Sequence, residues 1–512
     1  MALRTTVVEE TTSSRSEQNQ NQLLSLFQNH WVRFAICAAM MIVLLCNGAN
    51  YRSRHGFDAG SHTKYADVIA EENRIPTLEE AYVSYNPPMF YLYAAMMSKA
   101  SVAIGGNKDE QKFLAKMAEA KESGRDSDDI DADRREKKFG AARRFTKMSL
   151  SVFVGIIAIL GMALAGRTLG PKSKTAYLLL LLCIPAFFKY PAMFTPESFL
   201  TVAVWSAMLV GVWNFGPKYH IPQAIAAGLL GAVAIWTRPF GFAVAGAWGI
   251  TLVVALLLWK KGGRSWAIRA GIICVICAAA GAGLFAYNGK RTGKSMPRPK
   301  QSEAVFGKLP ASFYVGIKPF NFFFRPYRDD SPDQLLKKPD SPDGEVRRKT
   351  PALNSWYTIL YADSFGDYWK YWTLNHRLNN EEISKGFWRI ALTVQMAASL
   401  IPFAIILAGF VALARRAINA GPDDPLAALV PVTALVAVGF AFFLYFVIST
   451  PANEYNQVKA LYIHYLLPAI PFGGAYLVSR WIEQRSEGMF WTLPYIAAFC
   501  LWSMLLFGVY WH

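Results

Sequence analysis

The sequence has few charged residues, and its long apolar runs contain almost none of them. Only 17% of the 512 residues are charged, whereas 53% are hydrophobic and the mean hydropathy is positive. Many apolar runs reach the roughly 20 residues that are needed to cross a bilayer. These proportions exclude a soluble globular domain and predict an all-α, polytopic integral membrane protein.

Ionisable side chains are nearly absent from the cores of the predicted spans, and His464 is the exception. Transporters and proton pumps place such groups near the membrane midplane to bind ions or substrate. A lipid or solute transporter or flippase is therefore the alternative hypothesis and not the first one. A scaffold protein is a third reading, which predicts that substitutions at polar positions outside the spans are tolerated.

Cysteine is scarce, and its positions exclude extracellular cross-links. The six cysteines all lie in predicted spans: Cys37, Cys46, Cys183, Cys274, Cys277 and Cys500. This distribution indicates neither a disulfide framework nor a zinc site. No cofactor is indicated and no metal ligands are predicted; a divalent cation stays open without a motif that points to it.

A cleavable signal peptide is also lacking. Residues 1–31 form a polar tail that we expect on the cytoplasmic side, and no small-residue cleavage pattern follows the first apolar run. The first span is therefore expected to be an uncleaved anchor. The net charge of +17 comes largely from basic clusters at the ends of spans, where lipid head groups explain it, so no nucleic-acid partner is predicted.

The apolar runs predict about eleven transmembrane helices. They lie near residues 32–49, 148–166, 176–193, 198–215, 221–236, 240–259, 268–287, 388–413, 427–448, 460–478 and 490–510. Residues 88–105 are interpreted as an interfacial helix, because the short inner loops then hold twelve basic residues against three in the outer ones. The predicted organisation has a transmembrane module at 32–287 with a first external loop at 50–147, a second external loop at 288–387, and C-terminal helices at 388–512.

The first external loop carries the pattern most typical of chemistry. Asp58 follows the first span and precedes His62 and Tyr65, and Tyr85 opens a Pro-Pro entry into the interfacial helix. A carboxylate, an imidazole and aromatic hydroxyls at a membrane surface suit acid and base work on a lipid head group. The rest of the loop, 106–147, mixes basic and acidic residues and is expected to be a solvated helix or a mobile insertion without a function.

Further candidates lie at the external ends of helices. Glu197 begins a proline-bounded helix, where the helix dipole alone favours a carboxylate, and it is the second catalytic candidate. Cationic side chains farther along the chain are suited to bind a phosphate. Acids that lie among aromatic rings in the second loop are candidates for binding sugar hydroxyls or a cation. These substrate-binding candidates are Arg238, Lys459, Tyr462, His464, Asp363 and Asp367.

Several short motifs resemble one family of membrane enzymes. An acid in the first external loop, then His-x-x-Tyr and Tyr-x-Pro-Pro-x-x-Tyr, resembles the lipid-phosphate-sugar-dependent glycosyltransferases of the GT-C superfamily, which include protein O-mannosyltransferases and the aminoarabinose transferase. The stretch from Arg143 to Gly170, Thr237-Arg238-Pro239 and Tyr-Leu-Leu-Pro at 465–468 are similar too. Ala59 stands where several relatives carry a second acid, which leaves metal dependence open.

The resemblance implies a fold, a reaction and a location. It implies a GT-C-like helical fold with interfacial helices over a cavity, and sugar transfer from a polyprenyl phosphate with Asp58 as the base. Direct, inverting displacement needs one carboxylate and neutralisation of the leaving phosphate. The expected partners are a polyprenyl-phosphate-linked sugar, a lipid, glycan or protein acceptor, and membrane lipids. The expected location is a bacterial inner membrane, with the site facing the periplasm.

Overall fold

The chain folds into a bundle of apolar helices, one end of which carries a smaller layer of helices. The computed structural model describes residues 25, 27–53, 58–105, 119, 128–214, 220–295, 334–336, 346–348, 356–366, 382–449, 460–484 and 487–510. Apart from one short ribbon, the regular elements among these residues are helical. The prediction of an all-α, polytopic membrane protein is confirmed.

Ten α-helices lie in the described residues of the N-terminal part. They are α1 (His30–Asn50), α2 (Ala59–Glu72), α3 (Met89–Gly105), α4 (Asp128–Thr168), α5 (Ser173–Leu182), α6 (Ala186–Lys189), α7 (Pro196–Trp213), α8 (Ile221–Ile235), α9 (Phe242–Leu257) and α10 (Arg264–Thr292). Short 3-10 turns lie between them at Tyr82–Tyr85, Tyr190–Ala192, Pro239–Gly241 and Lys260–Gly263.

The C-terminal part adds a short ribbon and five α-helices. Strands β1 (Gln334–Leu336) and β2 (Val346–Arg348) pair antiparallel. The helices are α11 (Trp356–Phe365), α12 (Glu382–Ile418), α13 (Val430–Ser449), α14 (Pro471–Glu483) and α15 (Glu487–Ser503). The remaining turns are 3-10 at Pro425–Leu429 and Ala460–Leu466, and a π-turn at Met504–Gly508.

Each of the eleven predicted spans coincides with helical structure. Within the ranges that the structure describes, eight helices are long and apolar enough to cross a membrane by themselves, and two further pairs qualify if each bent pair counts as one span. Helix α8 is shorter, with 15 residues, and is apolar apart from Gln223. Helix α3, described as far as Gly105, is not among the candidate spans, and its interpretation as interfacial stays a prediction.

Two predicted spans are broken instead of straight. The axis bends by 73° between α5 and the segment Ala186–Ala192, and by 56° between Ala460–Leu466 and α14. Prolines explain both breaks, because Pro185 and Pro468 lack the amide hydrogen that would continue the helix and restrict the preceding residue. Hydropathy does not detect such breaks, since both halves remain apolar.

Helix α4 is much longer than its predicted span of 148–166. It begins at Asp128 and continues without a break through Lys147 into the apolar part. Its first half packs on α2 and α3, and Arg134 and Lys138 each contact Glu71 at 3.0 Å. The part of the predicted insertion from 128 to 147 is therefore a packed helix and not a mobile segment; residues 106–127, apart from Glu119, lie outside the described residues.

A separate hydrophobic cluster lies under α2 and α3 and positions the layer above it. Its buried members include Tyr65 of α2, Phe90 and Tyr91 of α3, and Phe194 from the chain before α7. Tyr65 and Tyr91 stack with their ring centroids 3.7 Å apart. Aromatic packing of this kind holds the amino-terminal ends of α2 and α3 in place beside α7.

Candidate functional site

Asp58 immediately precedes α2, and its conformation excludes the usual structural role of an aspartate at that position. Such an aspartate normally caps the helix by accepting a hydrogen bond from a backbone amide. Asp58 instead has φ 57° and ψ 14°, in the left-handed region, and its side chain makes no capping bond. The conformation costs about 1–2 kcal/mol for a residue with a Cβ atom. The carboxylate is exposed and accepts a hydrogen bond from Tyr82.

A buried ion pair joins two helix ends beside Asp58. Glu197, in the first turn of α7, is 2% exposed and contacts Arg238, which is 11% exposed and precedes Pro239. The second carboxylate oxygen of Glu197 and the Nε of Arg238 have no hydrogen-bond partner among the described residues. The pair is thus close to neutral overall, yet it retains unused hydrogen-bonding capacity.

Arg238 begins a directional chain of hydrogen bonds. Its Nη1 donates to Oδ1 of Asn86, and Nδ2 of Asn86 donates to the Tyr91 hydroxyl at 3.4 Å. The hydroxyl lies 2.6 Å from Nδ1 of His62. Burial and the charge of Arg238 lower the pKa of His62 well below its usual value, so the ring is neutral, and its tautomer decides which of Nδ1 and the Tyr91 hydroxyl donates. The chain therefore connects His62 to Arg238 and holds the Arg238 side chain in its orientation.

The Pro-Pro sequence explains why Asn86 reaches Arg238. Tyr82–Tyr85 forms one 3-10 turn, and Asn86 is extended with φ −70° and ψ 147°, as expected before a proline. Helix α3 then begins at Met89, whose amide donates to the carbonyl of Trp236 at 3.2 Å. This bond joins the start of α3 to the turn that carries Arg238, so the predicted motif brings both segments together.

Tyrosines connect Asp58 to the ion pair. Tyr85 accepts a hydrogen bond from Arg238, and burial raises its pKa although the charge of Arg238 opposes the rise. Both Tyr85 and Tyr462 interact electrostatically with Asp58, Glu197 and Arg238. Burial, together with the hydrogen bond to Asp58, raises the pKa of Tyr82, so its hydroxyl remains a proton donor at neutral pH.

The structure thus brings together most of the sequence-predicted residues. Asp58, Glu197, Tyr85, Arg238 and Tyr462 form one cluster, which we call the Asp58 cluster. His62 adjoins it through the hydrogen-bond chain already described. Tyr65 lies behind it, with its hydroxyl 3.3 Å from the Asn86 carbonyl. We infer that the last two position the cluster.

Two other predicted residues are held by neighbouring backbone and side-chain groups. His464 is fully buried, with Nδ1 2.9 Å from Oγ1 of Thr201, and its ring packs edge-on against Tyr190. These contacts account for Nδ1 and one face of the ring, and the expectation that His464 binds the phosphate stays a prediction. Asp363 accepts from the amide of Ala460 at 3.4 Å, so it contacts the segment that carries Tyr462. Asp367 and Lys459 lie outside the described residues.

Sequence reasoning missed four residues that complete the arrangement. Tyr82 contacts Asp58, and Asn86 and Tyr91 link Arg238 to His62. Arg291, at the end of α10, donates to the Ser84 carbonyl at 2.7 Å and holds the 3-10 turn. The Tyr-x-Pro-Pro-x-x-Tyr motif contains two of these, and an extended residue before two prolines was the available signal for Asn86.

The structure gives no indication of a resident metal. Among the residues that it describes, no group of three or more His, Cys, Asp or Glu side chains is placed to hold a metal ion. Two cavities of about 560 and 510 Å³ flank the outer half of α4. Neither is lined by Asp58, so the predicted chamber over this residue stays a prediction.

Comparisons with known proteins give one structural similarity. No protein-family model matches the sequence, and no curated protein matches it. Among solved structures, the chain is similar to ArnT from Cupriavidus metallidurans, in a crystal structure bound to undecaprenyl phosphate. The two share 12% sequence identity with a TM-score of 0.46, over 94% of this chain and 76% of that one.

Proposed function

We propose that the protein is a membrane glycosyltransferase that moves a hexosyl or pentosyl group from a polyprenyl-phosphate donor to an acceptor hydroxyl. The observation that carries the proposal is the state of Asp58. It is exposed at the edge of the bundle, held in a costly backbone conformation, and makes no helix-capping bond. An exposed acid in the left-handed region that does not cap its own helix is a candidate for a catalytic role.

The reaction needs one base and one stabilised leaving group. Asp58 takes the proton of the acceptor hydroxyl while the oxygen attacks the anomeric carbon. The bond between that carbon and the phosphate oxygen breaks, and the polyprenyl phosphate leaves with the electron pair. A single displacement inverts the anomeric centre. Undecaprenyl phosphate, which ArnT binds in the similar structure, is the natural first carrier to test.

Arg238 is the candidate for holding the leaving phosphate. Its guanidinium contacts Glu197 and Asn86 in the ligand-free arrangement, and Nε retains an unused donor. A phosphate contacting Arg238 would gain a charge-assisted hydrogen bond from this donor. Glu197 then acts as a positioning residue that keeps the guanidinium in place. This role differs from the catalytic one that the sequence predicts for Glu197.

The test uses the full-length protein in nanodiscs, with a panel of undecaprenyl-phosphate-linked sugars as donors and membrane extract as the acceptor source. The measurement is the release of undecaprenyl phosphate. We expect Asp58→Asn to lower turnover by about 10²–10⁴-fold, which is the typical contribution of a general base. Asparagine tolerates the left-handed conformation, so the helix start stays intact.

The matched control is Asp423→Asn, which also replaces an exposed aspartate but lies in the loop before α13. This variant should retain full activity. Preserved turnover in Asp58→Asn, with normal thermal unfolding, would remove Asp58 as the base. Release of undecaprenyl phosphate from none of the donors by the unmodified protein would contradict the proposed function itself.

A carrier is the second candidate, and the broken helices favour it. The two bent pairs meet where the His464 ring packs on Tyr190, and the fully buried Lys189 donates to the Gly366 carbonyl at 2.7 Å. Discontinuous helices with polar groups at their breaks are typical of transporter binding sites. A carrier would move a fluorescent undecaprenyl phosphate between the leaflets of liposomes, whereas the proposed transferase would not.

A further inference from the structure

The groove between α3 and α4 combines a cationic cavity with exposed apolar side chains. The cavity, of about 560 Å³, is lined by Lys99 and Val102 of α3, by Arg134, Lys138 and Phe139 of α4, and by Glu71 of α2. Three of these side chains are cationic and one is acidic. Because Glu71 also contacts Arg135 at 3.8 Å, its single charge is shared among several cations. The lining therefore has excess positive charge.

The charged side chains of the cavity are held in place and only partly hydrated. Arg134, Lys138 and Glu71 are 10%, 17% and 14% exposed, and Arg134 also contacts Asp131 at 3.0 Å. Lys99 is exposed at the rim and donates to Oδ1 of Asn73. Partial burial weakens solvent screening, so an anion in the cavity would interact strongly with these groups.

Exposed apolar side chains lie on α3 and α4 at one helical repeat from the cationic residues of the cavity, toward the apolar half of α4. Leu92 lies seven residues before Lys99 and Phe145 seven after Lys138, so each pair shares one helix face. Leu92 is 40% exposed and Phe145 is 58% exposed. Met96, which lies between Leu92 and Lys99 on α3, is 69% exposed. Seven residues span about 10 Å along a helix. The cationic level thus lies about 10 Å from the apolar level, along the direction in which α4 runs into its apolar span.

We propose that this groove binds the phosphate head group of an anionic membrane lipid. The phosphate contacts Lys99, Arg134 and Lys138, and the acyl chains lie on Leu92, Met96 and Phe145. Charge and apolar surface are complementary to such a lipid at both levels. Glu71 lies 13 residues after Asp58, which corresponds to about 20 Å along α2, so the lipid site is separate from the Asp58 cluster. The proposal therefore does not depend on sugar transfer.

Binding is measured on the full-length protein by native mass spectrometry, with phosphatidic acid, phosphatidylcholine or inorganic phosphate added. Phosphatidic acid should bind at least tenfold more tightly than phosphatidylcholine, with an affinity that falls as salt rises. The double variant Lys99→Gln/Lys138→Gln should weaken that binding at least tenfold. Lys138→Arg should preserve it, and the control Lys64→Gln, an exposed lysine of α2, should leave it unchanged.

A second pair of measurements distinguishes a lipid from a free anion. Phe145→Ser should weaken phosphatidic acid binding several-fold. If Phe145→Ser has no effect and inorganic phosphate displaces the lipid at equal concentration, the site takes free phosphate and the proposal is wrong. Equal binding of both lipids would also overturn it. Lys99→Gln alone, at an exposed side chain, provides the same test if the double variant does not fold.

Discussion

Two buried ion pairs of this protein differ in what surrounds them. Arg143 of α4 and Asp67 of α2 are each 2% exposed and lie among further charges, including Glu136. The pair of Arg238 and Glu197 lies among tyrosine hydroxyls and the Asn86 amide, close to the exposed Asp58. The first pair fastens two helices to each other, whereas the second lies close to an exposed carboxylate.

The comparison shows that unsatisfied atoms alone do not mark a functional site. Both pairs leave one carboxylate oxygen and the arginine Nε without a hydrogen-bond partner among the residues described. What distinguishes the Arg238 pair is the route from its guanidinium through Tyr85 and Tyr462 to a strained, exposed acid. A site is therefore recognised by its connection to an accessible reactive group.

The largest expected effect concerns the structural pair. Arg143→Met alone should lower the free energy of unfolding by about 3–5 kcal/mol, because it leaves the Asp67 carboxylate buried without its main partner. Adding Asp67→Leu should recover most of this loss, since two apolar side chains replace the pair. Equilibrium unfolding in mixed micelles measures both effects. Equal destabilisation by the single and double variants would show that neighbouring charges, and not the pair, matter.

The same design at the other pair should separate stability from activity. The double variant Arg238→Met/Glu197→Leu should unfold close to the unmodified protein but lose about 10²–10³-fold in transfer, the usual cost of removing one donor to a developing negative charge. Transfer is measured as the release of undecaprenyl phosphate. The matched control is Arg143→Met/Asp67→Leu, which should retain activity. Loss of activity in both double variants would show that the two ion pairs do not differ in their importance for transfer.

A smaller effect is expected from pH, through His62. Burial keeps its pKa well below 6.5, so below that pH the unfolded chain binds a proton that the folded protein does not. Acidification from pH 7 to pH 5 should therefore destabilise the protein, with a contribution of at most about 1.4 kcal/mol per pH unit. In His62→Asn, whose carbonyl can accept from Tyr91, this contribution should disappear. An unchanged pH slope would assign it to other groups.

The smallest effect tests the conformation of Asp58. Glycine adopts the left-handed region freely, so Asp58→Gly should raise the free energy of unfolding by up to about 1 kcal/mol. Transfer should nevertheless be lost, as in Asp58→Asn. The same substitution at Asn73, which has φ 55° at the other end of α2, should be close to neutral for transfer. A destabilised Asp58→Gly variant would mean that the carboxylate supports the fold.

Hydropathy was sufficient to predict the positions of the apolar helices, because every helix that crosses a membrane contacts the same apolar lipid interior. It could not predict the bends at Pro185 and Pro468, since the chain on both sides remains apolar and packed. Residues 128–147 of α4 were also predicted incorrectly as a solvated helix or a mobile insertion. Its charges resemble a solvated segment, but Arg134, Lys138 and Arg143 have partners on α2 that only the fold brings near.

The structure brings several of the predicted residues close together, but their roles stay predictions, and the direction of individual side chains could not be predicted from the sequence. Asp58, Glu197 and Arg238 were expected at helix ends on the same side, and the structure brings them together. His464 also begins a span on that side, yet its ring faces Thr201 because the segment is a 3-10 turn. Asn86 carried no recognisable pattern by itself, since its role depends on Arg238, more than 150 residues later.

The length of helix α2 determines how the Asp58 cluster at its start is oriented relative to the cationic cavity at its end. Asp58 precedes its first residue and Glu71 lies in its last turn. Inserting one alanine in the middle of α2 would rotate one end by about 100° relative to the other, whereas inserting seven would nearly restore the orientation. Natural length variation within α2 should accordingly be confined to insertions that keep whole turns.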